Sequence, residues 1–146
     1  MKHKVFAYIT YGDLLLVFNH PYAPEAGIQV PAGTMEEGEE PEEAVMREAF
    51  EETGLSGLQP RAFLGAYDHD VRERDQIHRR WFYHLACEER PPTRWRHQEM
   101  DPSEGGPEPI TFEFFWVKLP DCVPPLAAGH DTMLPKLLDL LALEAW

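Results

Sequence analysis

The sequence predicts an α/β fold, a mixed sheet covered by helices, and three observations carry that reading. Several segments rich in β-branched and aromatic residues are separated by turn residues. A glutamate-rich segment, residues 41 to 53, has helical start and stop signals. A run of leucines at helical spacing lies near the end of the chain. With 146 residues, 43% hydrophobic and 12% aromatic, one packed core is affordable, and a single domain over residues 1 to 146 is expected.

The elements follow in order. "KVFAYIT" and "LLLVFNH" read as hairpin strands joined by Tyr11-Gly12-Asp13. "GIQV" is a short third strand running into Pro31 and Gly33. Pro41 suits the first position of the helix, where a missing N–H costs nothing. Glu42 and Glu43 favour the positive end of its dipole. Gly54 stops it by taking a left-handed conformation. "RAFLGAY" and "HRRWFYHLAC" are longer strands, joined by the charged connector "DHDVRERDQI". Residues 88 to 109, rich in Pro, Gly and charge, read as a long loop. "ITFEFFWVKL" is another strand. In the last segment Leu134, Leu137, Leu138 and Leu141 form one apolar stripe, with Pro135 in the first turn.

Charge and composition narrow the function. A net charge of −13 disfavours a protein that coats nucleic acid, because phosphate backbones are bound by clustered Lys and Arg. A phosphate-bearing small molecule stays open, since divalent cations supply positive charge. Cys87 and Cys122 form no CxxC or Cys/His spacing, so reduced thiols are expected. The N-terminus lacks a signal-peptide pattern, and no stretch approaches the ~18 apolar residues of a membrane span. A cytoplasmic location is expected.

On a helical wheel, Val45, Met46, Ala49, Phe50 and Thr53 fall on one arc, expected to pack on the sheet. Glu48, Glu51 and Glu52 fall on another, spaced i, i+3 and i+4, so their carboxylates converge. Each like-charged pair costs roughly 0.2–0.5 kcal/mol even when exposed. A hard divalent cation reverses that sign, and Mg²⁺ favours a few carboxylates together with substrate phosphates. Arg47 would neutralise one glutamate and hold its rotamer. A plain solvated acidic face is the competing reading of the helix alone.

The flanks decide between them. Gly33, Glu39 and then Arg47-Glu48-Ala49-Phe50-Glu51-Glu52-Thr53-Gly54-Leu55 fill every fixed position of one signature: G, five residues, E, seven residues, R-E-apolar-x-E-E-x-G-apolar. The chain thereby resembles the Nudix hydrolases. The resemblance implies a Nudix-type α/β/α sandwich with a mixed sheet. It also implies hydrolysis of a diphosphate linkage in a nucleoside diphosphate joined to another moiety, with Mg²⁺ or Mn²⁺. By position, Glu48, Glu51 and Glu52 match metal-binding glutamates, and Glu51 and Glu52 are also catalytic candidates. Arg47 matches an orienting arginine, Gly33 begins the loop over the metal, the Ala32 carbonyl matches a backbone ligand, and Glu39 has a structural role. Family members often dimerise, so a homodimer is possible.

Outside the signature, Glu104 beside Gly105-Gly106 is preferred over Glu99 and Glu108 as a further ligand or base. Glu113 reads equally as a satisfied carboxylate or a site residue. Arg79 and Arg80 face opposite sides of a strand, so one is expected in the substrate cavity. Trp95, between Arg94 and Arg96, is the preferred aromatic for stacking on a base. The histidines, His69, His78 and His97 among them, show no metal spacing. "QVPAG" is similar to the lead-in of ADP-ribose pyrophosphatases, yet the proline those enzymes carry past the signature is absent, as is the tyrosine of dinucleoside polyphosphate hydrolases. A general nucleotide or nucleotide-sugar substrate is therefore expected. The alternatives are a 5′-RNA pyrophosphohydrolase and a non-catalytic nucleotide sensor.

Overall fold

Alternation along the first strand divides the molecule into layers. In the computed structural model, which describes residues 1–71, 76–99 and 109–144, β1 is Lys2–Tyr11. It turns Val5, Ala7 and Ile9 to one side and Phe6 and Tyr8 to the other, all buried. The first set packs with Ala44, Val45 and Ala49 of α1, Pro41–Thr53. The second packs with Leu137 of α2, Leu134–Glu144. The result is an α/β/α sandwich. Among the described residues, no helix is long and apolar enough to cross a membrane.

The sheet contains β2 (Leu14–Asn19), β3 (Ala32–Thr34), β4 (Leu58–Val71), β5 (Gln76–Cys87), β6 (Arg94–Glu99) and β7 (Ile110–Lys118). Its order is β4-β5-β1-β2-β7-β6, with β3 pairing β1. β1 runs parallel to β5 and the other pairs are antiparallel, so the sheet is mixed. The register sets Lys4 opposite both Arg80 and Thr34, and Phe6 opposite both Phe82 and Ala32. That places the chain entering α1 beside the middle of β1.

Three expectations change. "GIQV" makes only isolated bridges, Phe18 with Gln29 and Ile28 with Leu126, and the third strand is Ala32–Thr34. β4 and β5 extend through most of the charged connector, pairing as far as Val71 with Gln76. Phe50 is 58% exposed, while Glu48 and Glu52 are buried. The buried stripe of α1 is Ala44, Val45, Glu48, Ala49, Glu52 and Thr53, and Phe50 lies outside it. The wheel assigned the arcs by hydrophobicity, whereas the helix turns its carboxylates inward.

The residue 88–109 segment also contains a strand. Along β6, Trp95, His97 and Glu99 are half-buried and alternate with exposed Arg94, Arg96 and Gln98. The last carbonyls of a helix lack intrahelical partners, and β6 supplies two. Trp95 Nε1–H donates to the Thr53 carbonyl at 2.9 Å, and His97 Nε2 donates to the Glu51 carbonyl at 2.9 Å. The Trp95 ring also stacks on Phe114, centroids 5.2 Å apart. β6 therefore fixes the end of α1 that carries Glu51 and Glu52. Trp95→Phe keeps an aromatic ring on Phe114 but removes the donor and part of the indole, so stability is expected to fall by at least about 1–2 kcal/mol, read as a lower urea unfolding midpoint at unchanged slope.

Candidate active site

The α1 arginine organises its surroundings. Arg47 donates through Nε and Nη2 to both oxygens of Glu39 at 2.8 Å. Its Nη1 donates to Glu48 Oε1 at 2.8 Å and Glu51 Oε2 at 3.2 Å. Nη2 also reaches the Thr34 carbonyl at 3.2 Å, tying the helix to β3. The Arg47 hydrogen bonds hold the Glu39 carboxyl down to about 2. Glu39 in turn accepts the Glu36 N–H at 2.7 Å, which fixes the turn before the helix.

The two inward carboxylates are differently supported. Glu48 is 6% exposed; Arg47 satisfies Oε1, but Oε2 is buried without a hydrogen-bond partner among the described residues. Burial raises the Glu48 carboxyl above its ordinary range, against the opposing pull of Arg47. Gly33 lies against it so closely that a Cβ would overlap the Glu48 carboxylate. Glu52 is 3% exposed and accepts the Ala32 N–H at 2.8 Å through Oε2. Burial first, then the charges of Glu99 and Glu48, raise its carboxyl well above the usual range.

Buried like charges with an idle oxygen are costly unless completed. An oxygen-only donor set of this kind fits a hard divalent cation. Among the described residues, no three carboxylate, imidazole or thiol groups stand together as a ready-made cation site. Glu51 is turned to Arg47 with its side chain 53% exposed, which keeps it apart from the inner pair.

Beside Glu52 opens a cleft of about 310 Å³. Ala32, Gly33, Glu52, Arg80, Glu99 and His130 line it, with Phe6, Phe18 and Phe112 as aromatic wall. Arg80 thus faces the cleft, whereas Arg79 lies on the opposite face in a 2.8 Å ion pair with Asp68. Glu99 approaches from β6, close enough to act on Glu52 electrostatically. Glu104 and Glu108 lie outside the described residues. Glu113 is satisfied by Arg94 at 2.8 Å. Trp95 sits at the end of α1, against Phe114 and the Thr53 carbonyl.

His130 was not singled out in the sequence, which offers no spacing to mark it. Its Nδ1 accepts the Val30 N–H at 3.1 Å, and its carbonyl accepts the Tyr8 hydroxyl. Burial, then the positive charges of Arg80 and Lys4, lower the ring to about 3.

The NUDIX domain family matches the chain over residues 1–137. The chain belongs to the Nudix family. Among solved structures it is similar to a NUDIX hydrolase from Nitrosomonas europaea: 19% identity over 97% of this chain and 88% of that one, TM-score 0.62. An ADP-ribose pyrophosphatase from Streptococcus suis 89-1591 matches at 20% identity over 96% of this chain and 91% of that one, TM-score 0.65. A third is a bifunctional NMN adenylyltransferase/ADP ribose pyrophosphatase from Francisella tularensis, complexed with AMP and Mn ion. It matches at 16% identity over 99% of this chain and 42% of that one, TM-score 0.60. At these identities the likeness is one of fold.

Two outcomes follow from the Nudix site geometry. Gly33→Ala forces the Glu48 side chain aside and is expected to cost about 1–3 kcal/mol, measured by urea unfolding. The second concerns His130, whose ring titrates at 6.5 when unfolded and about 3 when folded. Between those values the unfolded chain binds more protons, so this contribution is complete above about pH 6.5 and is lost as pH falls. Glu52, with its raised carboxyl, acts in the opposite direction as pH falls, so a comparison with His130→Asn isolates the histidine. Between pH 7 and pH 5 the wild type should lose about 2 kcal/mol more than that variant.

Proposed function

We propose that this Nudix hydrolase cleaves a diphosphate linkage in a nucleoside diphosphate joined to another moiety, a nucleotide, nucleotide sugar or ADP-ribose-like compound, with Mg²⁺ or Mn²⁺ as cofactor. The observation that carries the reading is the inward pair Glu48 and Glu52, buried on one helix face with Glu48 Oε2 unpartnered. The ADP-ribose pyrophosphatase from Streptococcus suis and the AMP and Mn ion in the Francisella tularensis neighbour support it.

Glu48 and Glu52 would hold the cation, joined by Glu51 after a side-chain rotation away from Arg47 and by the Ala32 carbonyl. When bound, such a cation neutralises phosphate oxygens and acidifies a coordinated water. Arg47 fixes the rotamer of Glu48 and releases or retains Glu51. Gly33 lets the β3 backbone lie flat on the Glu48 carboxylate. Glu99 Oε1 or Oε2, facing the same cleft as Glu52, accepts the proton of the attacking water in this reading. Trp95 supports the helix turn that carries Glu51 and Glu52. The aromatic wall at Phe18 and Phe112 offers a surface for the non-phosphate part of the substrate.

The test is product release from ADP-ribose, nucleotide sugars and dinucleotides, with Mg²⁺, Mn²⁺ or EDTA. Turnover of at least one substrate is expected with metal and none with EDTA. Glu52→Gln should lower that turnover about 10³-fold, the scale of losing a group that stabilises developing charge. In metal-free buffer the same variant should be more stable than wild type, because a neutral amide relieves the repulsion with Glu99 and Glu48. Turnover undiminished in EDTA, or in Glu52→Gln, would count against the proposal.

A further inference from the structure

The cleft has a positive end as well as a negative one. Lys4 of β1 pairs in register with Arg80 of β5, so the two cations share a face of the sheet. Like charges directly opposite each other destabilise a sheet. Arg80 is 7% exposed, and among the described residues no carboxylate forms an ion pair with it. Its Nη1 donates to the Ala128 carbonyl and, at 3.4 Å, to the Tyr67 hydroxyl. The guanidinium lies 4.9 Å over the Phe6 ring, and Nε is buried with no partner among the described residues. A buried guanidinium with an idle donor and no counter-anion among the described residues is costly, as a buried unpaired carboxylate is.

The backbone around Arg80 is itself strained. Ala128, whose carbonyl accepts from Arg80, has φ of 51°, in the left-handed region that non-glycine residues avoid. Gly129 follows at φ of 78°, and a Cβ there would meet Arg80 Nη1 at 3.1 Å. Strained backbone of this kind persists only where the surroundings over-determine it, and it clusters at functional sites. Here the surroundings are the Tyr8 hydroxyl on the His130 carbonyl and the Val30 N–H on His130 Nδ1. The latter bond leaves the imidazole proton on Nε2, which makes His130 a neutral donor lining the same cleft as Lys4 and Arg80.

We propose that Arg80, flanked by Lys4 and His130, is a seat for a phosphate group, separate from the carboxylate end at Glu52 and filled without a metal ion. It deepens the hydrolytic reading and rests on it for one point, that the phosphate belongs to the substrate. Glu52, held by the Ala32 N–H, and Arg80 line one and the same cleft. A diphosphate compound in that cleft would direct one phosphate to the Glu52 end and present the other to Arg80. Two cations and a neutral donor match a phosphate dianion, and the fork of an arginine suits its oxygens. In a chain of net charge −13, this local pair is what would draw an anion into the cleft.

Calorimetric titration of the full chain with inorganic pyrophosphate in EDTA tests the seat. Binding by the wild type is expected, weakened about ten-fold or more in Arg80→Gln and about three-fold in Lys4→Gln. Arg80→Lys keeps the charge without the fork and should fall between wild type and Arg80→Gln; it carries the test if circular dichroism shows Arg80→Gln to be unfolded. Mn²⁺ uptake, followed separately by electron paramagnetic resonance without phosphate, should be unchanged in all three. No metal-free binding by the wild type, or equal affinity in the folded Arg80 variants, overturns the proposal. Failure of the wild type to take up Mn²⁺ while still binding pyrophosphate contradicts the metal reading and leaves the phosphate seat standing.

Discussion

Glu48 and Glu52 lie in the middle of the stripe that α1 buries, where an amphipathic helix ordinarily carries leucine or valine. Ionised, they repel each other and lose their hydration, so every neighbouring element is shaped by the need to tolerate them. β3 offers a backbone N–H to Glu52 and a residue without Cβ to Glu48. Arg47 takes one oxygen of Glu48 while being held by Glu39. β6 ties down the last helical turn through Trp95 and His97. These supports fix the carboxylates in place but leave Glu48 Oε2 without a partner, which is the chemistry a hard cation completes.

The far side of the cleft shows the opposite sign handled in the same way. Arg80 is buried against Phe6 and partly satisfied by a strained carbonyl, with Nε left over. The ring of His130 is kept neutral by burial and by those same cations, so it adds a donor without adding charge. A cleft with Glu52 and Glu99 at one end and Lys4 and Arg80 at the other has the charge pattern that the proposed metal–diphosphate pair would match. The parallel pairing of β1 with β5 brings the two ends together, since it sets Lys4 beside Arg80 while β3 brings Ala32 beside Phe6.

Much of this was legible in the sequence, for identifiable reasons. The bounds of α1 were readable because Pro41 and Gly54 act locally, the first through a missing N–H and the second through a left-handed φ of 73°. The signature from Gly33 to Leu55 carried the family. β6 was missed because "RWRHQE" has no apolar alternation; its pairing with β7 and its bonds to α1 make it a strand, and those are tertiary. Glu104, the loop glutamate preferred from the sequence, lies outside the described residues, whereas Glu99 of β6 lines the cleft. Phe50 was expected inside because hydrophobicity outranked function on the wheel. Alternation placed Arg79 and Arg80 on opposite faces, but only the register with β1 says which face holds the cleft. His130 is 100 residues from Val30 in sequence, and no local pattern announces a hydrogen bond over that separation.

The central claim, that the buried glutamates form a seat for a divalent cation, is tested most directly by proton release on metal binding. Manganese is titrated into the protein calorimetrically in two buffers of different ionisation enthalpy, without nucleotide. With the Glu52 carboxyl raised by burial and by Glu99 and Glu48, metal uptake should displace protons, and the apparent heat should differ between buffers. Absence of any saturable heat in either buffer would contradict the account.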